Sequence, residues 1–250
     1  MQNPPLVKTL ALMLACAFAG FAACKETPKP MDPALHPRAR AAAAAARVRP
    51  ALEHDLKAAG LQFGSPVLIR AFKEELILEL FALNLKTQSF QLFRSYPIAA
   101  SSGSLGPKLL EGDGQVPEGF YQVPPSAMKP DSRYHLAFNV GYPNAYDRAL
   151  GRTGSWIMIH GNRVSIGCLA MTDEKIEEIY TMCAAAQGAG QAAFEVQVYP
   201  FRMTGERMAK ARGSAWEGFW SNLKEGYDHF EKTGKPARVS VRGGRYQFRK

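Results

Sequence analysis

From Pro66 onward the chain sets short apolar runs between polar breaks. VLIRAF, LILELFAL and FQLFRSY are rich in β-branched and aromatic residues, and Lys73-Glu74-Glu75 and the stretch from Asn84 to Gln88 separate them. Such runs predict strands joined by turns. GFYQV, YHLAFNV, SWIMIH and FEVQVY predict further strands, and residues 103–116 form a Gly-rich loop between them. One segment follows a helical period instead. In TDEKIEEIYTMCAAAQG, residues Ile176, Ile179, Tyr180 and Cys183 fall on one helix face. The helix is expected from Thr172, at the cap, to about Gln187, with Asp173 and Glu174 in its first turn and Gly188 past its end. Beyond Gly205, Trp216, Phe219, Trp220, Leu223, Tyr227 and Phe230 recur at helical spacings. They predict a helix packed on the core, with a carbohydrate-stacking face as the other reading. RVSVRGGRYQF reads as a hairpin around Gly243-Gly244. The fold class is therefore mainly β with flanking helices, an α+β arrangement.

The N-terminus has a different character. Residues 1–24 carry Lys8 as their only charge and an apolar, small-residue run from Thr9 to Ala23, the pattern of a secretory signal. Phe21-Ala22-Ala23-Cys24 resembles a bacterial lipoprotein box, in which Cys24 would take the lipid and Lys25 would follow it. Plain cleavage after Ala23 is the alternative. Residues 25–64 are expected to be a Pro/Ala/Arg-rich tether, with nascent helix in its alanine run, followed by a short helix from Pro50 to Gly60. A catalytic-size domain over 65–202 and a C-terminal extension over 203–250, packed on the core, complete the organisation.

Length and charge narrow the function. At 250 residues, one main domain with appendages is expected, and with no long apolar run after the N-terminus a polytopic membrane protein is excluded. The formal charge is +9, and +8 once Lys8 leaves with the signal. A basic exported chain suits an anionic surface such as a cell-wall polymer or lipid headgroups. Export argues against nucleic acid, and no nucleic-acid module is recognisable. The export signal places the chain in the periplasm or cell envelope, with an outer-membrane lipoprotein following if Cys24 is acylated.

Only Cys168 and Cys183 remain in the folded part. Cys183 lies on the apolar helix face and reads as a small buried hydrophobe. Cys168 follows Gly167 just before that helix, and His160 ends the strand upstream. A thiol nucleophile needs a base, a lowered pKa and access. His160 can supply the base, and a helix N-terminus or an imidazolium can lower the thiol pKa. Backbone N–H groups beside Gly167 can form an oxyanion hole. Spacing alone leaves two rivals open: a buried Cys beside an unrelated His, and a zinc site, which lacks a C-x-x-C pair or a second close His. His135 is placed on a strand with Ala137 and Asn139, as a substrate contact or a solvated face. Asp147 and Arg148 are candidates for binding the carboxylate and amine of a zwitterionic side chain, in a polar, turn-rich run that also holds Arg152, and a surface salt-bridged loop is the rival account.

His160-Gly161, then Ser165-Ile166-Gly167-Cys168-Leu169-Ala170, resembles the active-site motif of the L,D-transpeptidase (YkuD-type) family. Ala99-Ala100-Ser101-Ser102-Gly103 and Pro117-Glu118-Gly119-Phe120 resemble its upstream elements in the same order, and the resemblance covers about residues 65–202. The motif usually carries a His where Ile166 stands and an Arg where Ala170 stands. These departures, a shorter His-to-Cys interval and RYHLAFNVGYPNAYDRALGRTGS resemble the YafK-like branch. The resemblance implies a β-sandwich catalytic domain needing no cofactor and no metal. Cys168 would be the nucleophile, His160 the general base, the Gly161 carbonyl its orienting group, and Gly167 and Ser165 parts of the oxyanion loop. The implied substrates are peptidoglycan stem peptides containing diaminopimelate. Transfer to an amine gives a transpeptidase, water gives an amidase that frees a wall-linked lipoprotein, and a dead site would leave a wall-binding module.

Overall fold

The computed structural model describes residues 37–249. The apolar N-terminal segment and Cys24 lie outside the described residues. The chain opens with α1 (Pro37–Ala58), then β1 (Val67–Phe72), β2 (Ile77–Asn84), β3 (Ser89–Pro97), β4 (Ala100–Ser101) and β5 (Gly119–Val123). A single 3-10 turn leads to β6 (Met128–Lys129), β7 (Ala137–Asn139), α2 (Ala145–Ala149), β8 (Met158–His160) and β9 (Leu169–Ala170). There follow α3 (Asp173–Gly188), β10 (Phe194–Tyr199), α4 (Gly205–Lys210), α5 (Glu217–Thr233), β11 (Arg238–Arg242) and β12 (Arg245–Arg249).

Two mixed five-stranded sheets organise these elements. The first runs β3-β2-β1-β10-β5 and the second β4-β9-β8-β7-β6. Each holds one parallel pair, β1 with β10 and β8 with β9. The core lies between them: Val67, Ile69 and Ala71 of β1 and Val196 and Val198 of β10 meet Phe138, Ile159 and Leu169 of the second sheet, with Ile176, Ile179 and Cys183 of α3. Alternation puts the other β1 residues on the outer face. There Phe72, with Phe120 and Tyr199, packs against Trp220, Leu223 and Tyr227 of α5 and Tyr246 of β12. A central strand buried on both faces explains why VLIRAF reads as an almost continuous apolar run. The α5 aromatics are core-facing, which removes the carbohydrate-stacking reading.

Arg70 is the exception on that run. It is 1% exposed, and its guanidinium lies within 6 Å of the ring centroids of Phe72, Phe81, Tyr199, Tyr227 and Phe230 while bonding Glu231 of α5 at 2.5 Å. Ring faces take up the charge that water would otherwise solvate. This cage and the aromatic layer dock the C-terminal extension.

The N-terminal elements correct one expectation. A tether to residue 50 and a short helix from Pro50 were expected; the structure has one helix with Pro50 inside it. Proline in a helix interior costs about 3 kcal/mol. Here Ala41, Ala44, Val48, Leu52 and Leu56 make a core-facing stripe that continues across the proline, and the alanine run favours helix. Packing against α3 and the Arg47–Glu177 ion pair at 2.5 Å hold it in place. Among the described residues no helix is long and apolar enough to cross a membrane.

Candidate active site

The second sheet brings His160 and Cys168 together. β8 and β9 run parallel, with Ile159 opposite Leu169 and His160 opposite Ala170. Cys168, one residue before β9, falls beside Met158, whose N–H points at Sγ at 3.4 Å. Side chains alternate along a strand, so Met158 and His160 share one face and Ile159 enters the core. The thiol and the imidazole therefore occupy the same face of neighbouring strands. The strand expected over SWIMIH is shorter than its sequence suggests, because Trp156 takes a left-handed φ of 55° and pairing starts at Met158.

His160 is 2% exposed. Its Nδ1–H donates to the Gly161 carbonyl at 2.5 Å, which leaves the Nε2 lone pair free to accept a proton. Burial pushes the imidazole pKa down from its ordinary value, against the raising effect of that carbonyl. His160 is thus neutral near pH 7. A methyl group on Gly161 would sit 2.6 Å from Asp173 Oδ1 and 2.7 Å from the Tyr134 carbonyl. Gly161→Ala is accordingly expected to displace the His160 support, costing about 1–3 kcal/mol of stability and a larger fraction of turnover, checked by thermal melts beside kinetics.

Cys168 is half-buried and Cys183 buried, both as free thiols. Burial pushes the Cys168 thiol pKa up, and the Met158 N–H and the Lys108 ammonium offset that only in part. At rest Cys168 is a neutral thiol that donates to the Trp156 carbonyl at 3.7 Å, and His160 is a neutral imidazole on the same face of the next strand. Iodoacetamide should therefore modify Cys168 slowly at pH 7, with a rate that climbs steeply towards and beyond pH 9 as thiolate forms. Cys183, its pKa raised much further by complete burial, should stay unmodified until the protein unfolds. Peptide mapping after timed alkylation reads both.

The loop from Gly161 to Gly167 is held from several sides. Ser165 Oγ accepts the Cys168 N–H at 3.0 Å and donates to the Cys168 carbonyl at 2.6 Å, closing the turn. Gly167 has φ 87°, a conformation that suits glycine. Its N–H donates to Ser102 Oγ at 2.5 Å, and Ser102 donates on to the Gly114 carbonyl at 2.7 Å. The two N–H groups expected to line an oxyanion hole are thus both occupied by hydroxyls. Lys108, whose charge acts on Cys168, has Nζ bonded to Asp113 at 2.6 Å and to the Leu110 carbonyl at 2.8 Å. Burial works against ionisation of Asp113, yet Lys108 and three backbone N–H groups hold its carboxyl down to about 2.

The other candidates are committed elsewhere. His135 is not on a strand face: it has φ 69°, precedes β7, and its Nε2 pairs with Glu177 at 2.7 Å. Asp147 is fully buried, closing a capping box with Asn144 and bonding Tyr121 and Arg152. Arg152 is spent on that carboxylate at 2.8 Å, and Arg148 bonds the Pro143 carbonyl. A buried structural cluster thus replaces the expected zwitterion site at Asp147. Among the described residues no three His, Cys, Asp or Glu side chains converge as metal ligands. Two side chains that shape the site went unassigned in the sequence. Ser102 sits in a Ser-Gly element that marks it, whereas Tyr134, stacked on His160 at 4.7 Å, carries no local signal.

Two sheets carrying a His and a Cys on adjacent strands, with the motif order described above, define an L,D-transpeptidase-type catalytic domain. The family model of the L,D-transpeptidase catalytic domain (YkuD) matches residues 82–228, and the chain belongs to that family. The chain is 51% identical over 183 residues to the Escherichia coli K12 protein named "Putative L,D-transpeptidase YafK", covering 73% of this chain and 74% of that one. The Escherichia coli O157:H7 counterpart gives the same figures. Among solved structures, the helical cell shape determining protein Pgp2 of Campylobacter jejuni (K307A mutant) aligns at 21% identity and a TM-score of 0.44, over 66% of this chain and 56% of that one.

Proposed function

We propose that this protein is an exported cysteine acyl-transfer enzyme that opens an amide bond at the diaminopimelate carbonyl of peptidoglycan stem peptides. The observation that carries this reading is the Cys168–His160 pair on adjacent strands, with the imidazole tautomer fixed by the Gly161 carbonyl. As Sγ attacks the carbonyl carbon, its proton passes to His160 Nε2. A neutral thiol and a neutral base suit this concerted transfer. The C–N bond then breaks, His160 returns the proton to the departing amine, and a thioester remains on Cys168. A second amine, or water, attacks the thioester with His160 again taking the proton, and the sulfur leaves and is reprotonated. Oxyanion stabilisation by the Gly167 and Cys168 N–H groups requires Ser102 and Ser165 to turn aside.

A second reading makes water the acceptor, so that the enzyme is an amidase releasing protein or peptide from the wall. Ile166, 88% exposed, and Ala170, fully buried, stand where the family motif carries His and Arg. Arg152 is held by Asp147 and cannot substitute. A mouth without those polar groups has less to hold a second stem peptide. The N-terminal apolar segment supports the export part of this reading, and its end at Cys24 fits either lipidation of that cysteine or plain cleavage after Ala23.

The test is product analysis. Purified protein and Cys168→Ala are incubated with peptidoglycan bearing covalently bound lipoprotein, with and without a free amine acceptor, and muropeptides and released protein are followed by mass spectrometry. New crosslinks or exchanged terminal residues establish transfer, and release without them establishes the amidase. No change with the wild type, its Cys168 reduced and alkylatable, sinks the substrate class and favours a wall-binding module.

A further inference from the structure

The imidazole of His160 is almost fully buried although the site must admit substrate, and one cover is a residue that is itself exposed. The Tyr134 ring lies 4.7 Å from the His160 ring, tilted by 32°, and Tyr134 is 44% exposed. A tyrosine stacked on a base excludes water from one face and restricts ring rotation. Its own position is not fixed by a strand, because β7 begins only at Ala137.

What fixes it is a grip from α1. Arg40 Nη1 donates to the Ser132 carbonyl at 2.9 Å and to the His135 carbonyl at 3.0 Å, bracketing Tyr134 along the chain. The Tyr134 N–H donates to Ser132 Oγ at 3.0 Å. His135, in its left-handed conformation, is pinned through Nε2 to Glu177, which also receives Arg47 of α1. Charge-assisted contacts of this kind are roughly twice as strong as neutral ones. Helix α1 lies ahead of residue 82, where the match to the family's catalytic domain begins.

We infer that Tyr134 is a positioning residue for His160, and that helix α1, through Arg40, holds Tyr134 over the imidazole. The inference rests on the reading of His160 as general base. The groups that face this imidazole are the Tyr134 ring and the Gly161 carbonyl, with the Cys168 thiol on the same face of the adjacent strand; the Asp173 carboxylate at the start of α3 is turned to the Asn162 N–H at 2.7 Å.

The experiment is a titration of His160 by NMR of histidine-labelled protein, assigned with His160→Gln, in the wild type and in Tyr134→Ala, Tyr134→Phe and Arg40→Met. Loss of the ring re-solvates the imidazole, so the His160 midpoint should move upward, towards 6.5, in Tyr134→Ala. The acid limb of the pH–turnover profile should move with it, and turnover should fall by roughly tenfold or more. Tyr134→Phe, which keeps the ring, should restore both, and Arg40→Met should shift both in the same direction as Tyr134→Ala by less. Continued protection of Cys183 from alkylation establishes that each variant is folded. An unchanged midpoint in folded Tyr134→Ala overturns the inference. An unchanged midpoint in Arg40→Met, with Tyr134→Ala shifted, overturns the role of α1. The titration needs no substrate, so a wild type that titrates as expected yet leaves peptidoglycan untouched overturns the proposed function and not the role of Tyr134.

Discussion

His160→Gln is expected to lower turnover by roughly 10²- to 10⁴-fold, the usual contribution of a positioned base. No thiolate need wait at rest for this loss to appear. Burial raises the Cys168 pKa and lowers that of His160, so both groups are neutral at pH 7 and the proton must move during attack. Glutamine retains a donor for the Gly161 carbonyl but has no lone pair of comparable basicity. The variant should therefore fold normally, keep Cys183 protected and bind substrate with KM little changed, while the loss falls on kcat. The pH dependence carries the sign. Wild-type turnover should rise as pH climbs through the depressed His160 pKa and hold above it. The variant should lack that limb and gain rate only as Cys168 ionises at alkaline pH. Steady-state kinetics with the thioester trapped by intact mass reads both.

The second large effect is on stability. Glu118 is fully buried and is the hub of a network that joins three segments. One carboxylate oxygen receives Lys73 at 3.0 Å and the Gly106 N–H at 2.7 Å, and the other receives Trp220 Nε1 at 2.7 Å. Lys73 also donates to the Gly106 and Val116 carbonyls, at 2.6 and 2.9 Å. Glu118→Ala leaves a buried ammonium without its counter-charge, held only by two carbonyls, and takes the acceptor from an indole N–H and a backbone N–H. Breaking a buried pair on one side costs about 3–5 kcal/mol, a large share of the 5–15 kcal/mol that domains of this kind have. Burial already lowers the Lys73 pKa from 10.5, and losing Glu118 removes the main opposing influence. A folded-state pKa below the unfolded one means that stability rises with pH between the two values. The gap between Glu118→Ala and wild type should thus narrow as pH is raised from 7 towards 10. Urea midpoints across that range measure it; a gap independent of pH would assign the loss to packing alone.

The sequence made some of this legible and hid the rest for physical reasons. Strands β1, β2, β3, β5 and β10 announce themselves because each offers a run of β-branched and aromatic residues to a buried sheet, and α3 because Ile176, Ile179, Tyr180 and Cys183 all reach the core. The His160 and Cys168 motif is local and could be read along the chain. Helix α1 was obscured by Pro50, since the stripe that carries it across the proline is rewarded only by contact with α3. Thr172 stands at the N-terminus of α3 as expected, but with φ 75° and no side-chain cap bond. The direction of the Cys168 pKa is set by burial, which depends on the packed fold and leaves no mark in the local sequence. His135 drew attention as a titratable group while its neighbour Tyr134 makes the contact with the base. Ser102 and Gly167 meet across 65 positions, a distance over which no local pattern speaks.

The parallel pairing of β8 with β9 carries one more consequence. His160 and Cys168 are joined by a single short loop and aligned by the ladder itself, so their relative placement is written into one contiguous cassette of chain. Ile166 projects outward from that same loop without touching the alignment. Outward side-chain identity and strand register are therefore separable variables in this scaffold: the exposed position can change while the cassette that aligns His160 and Cys168 stays intact.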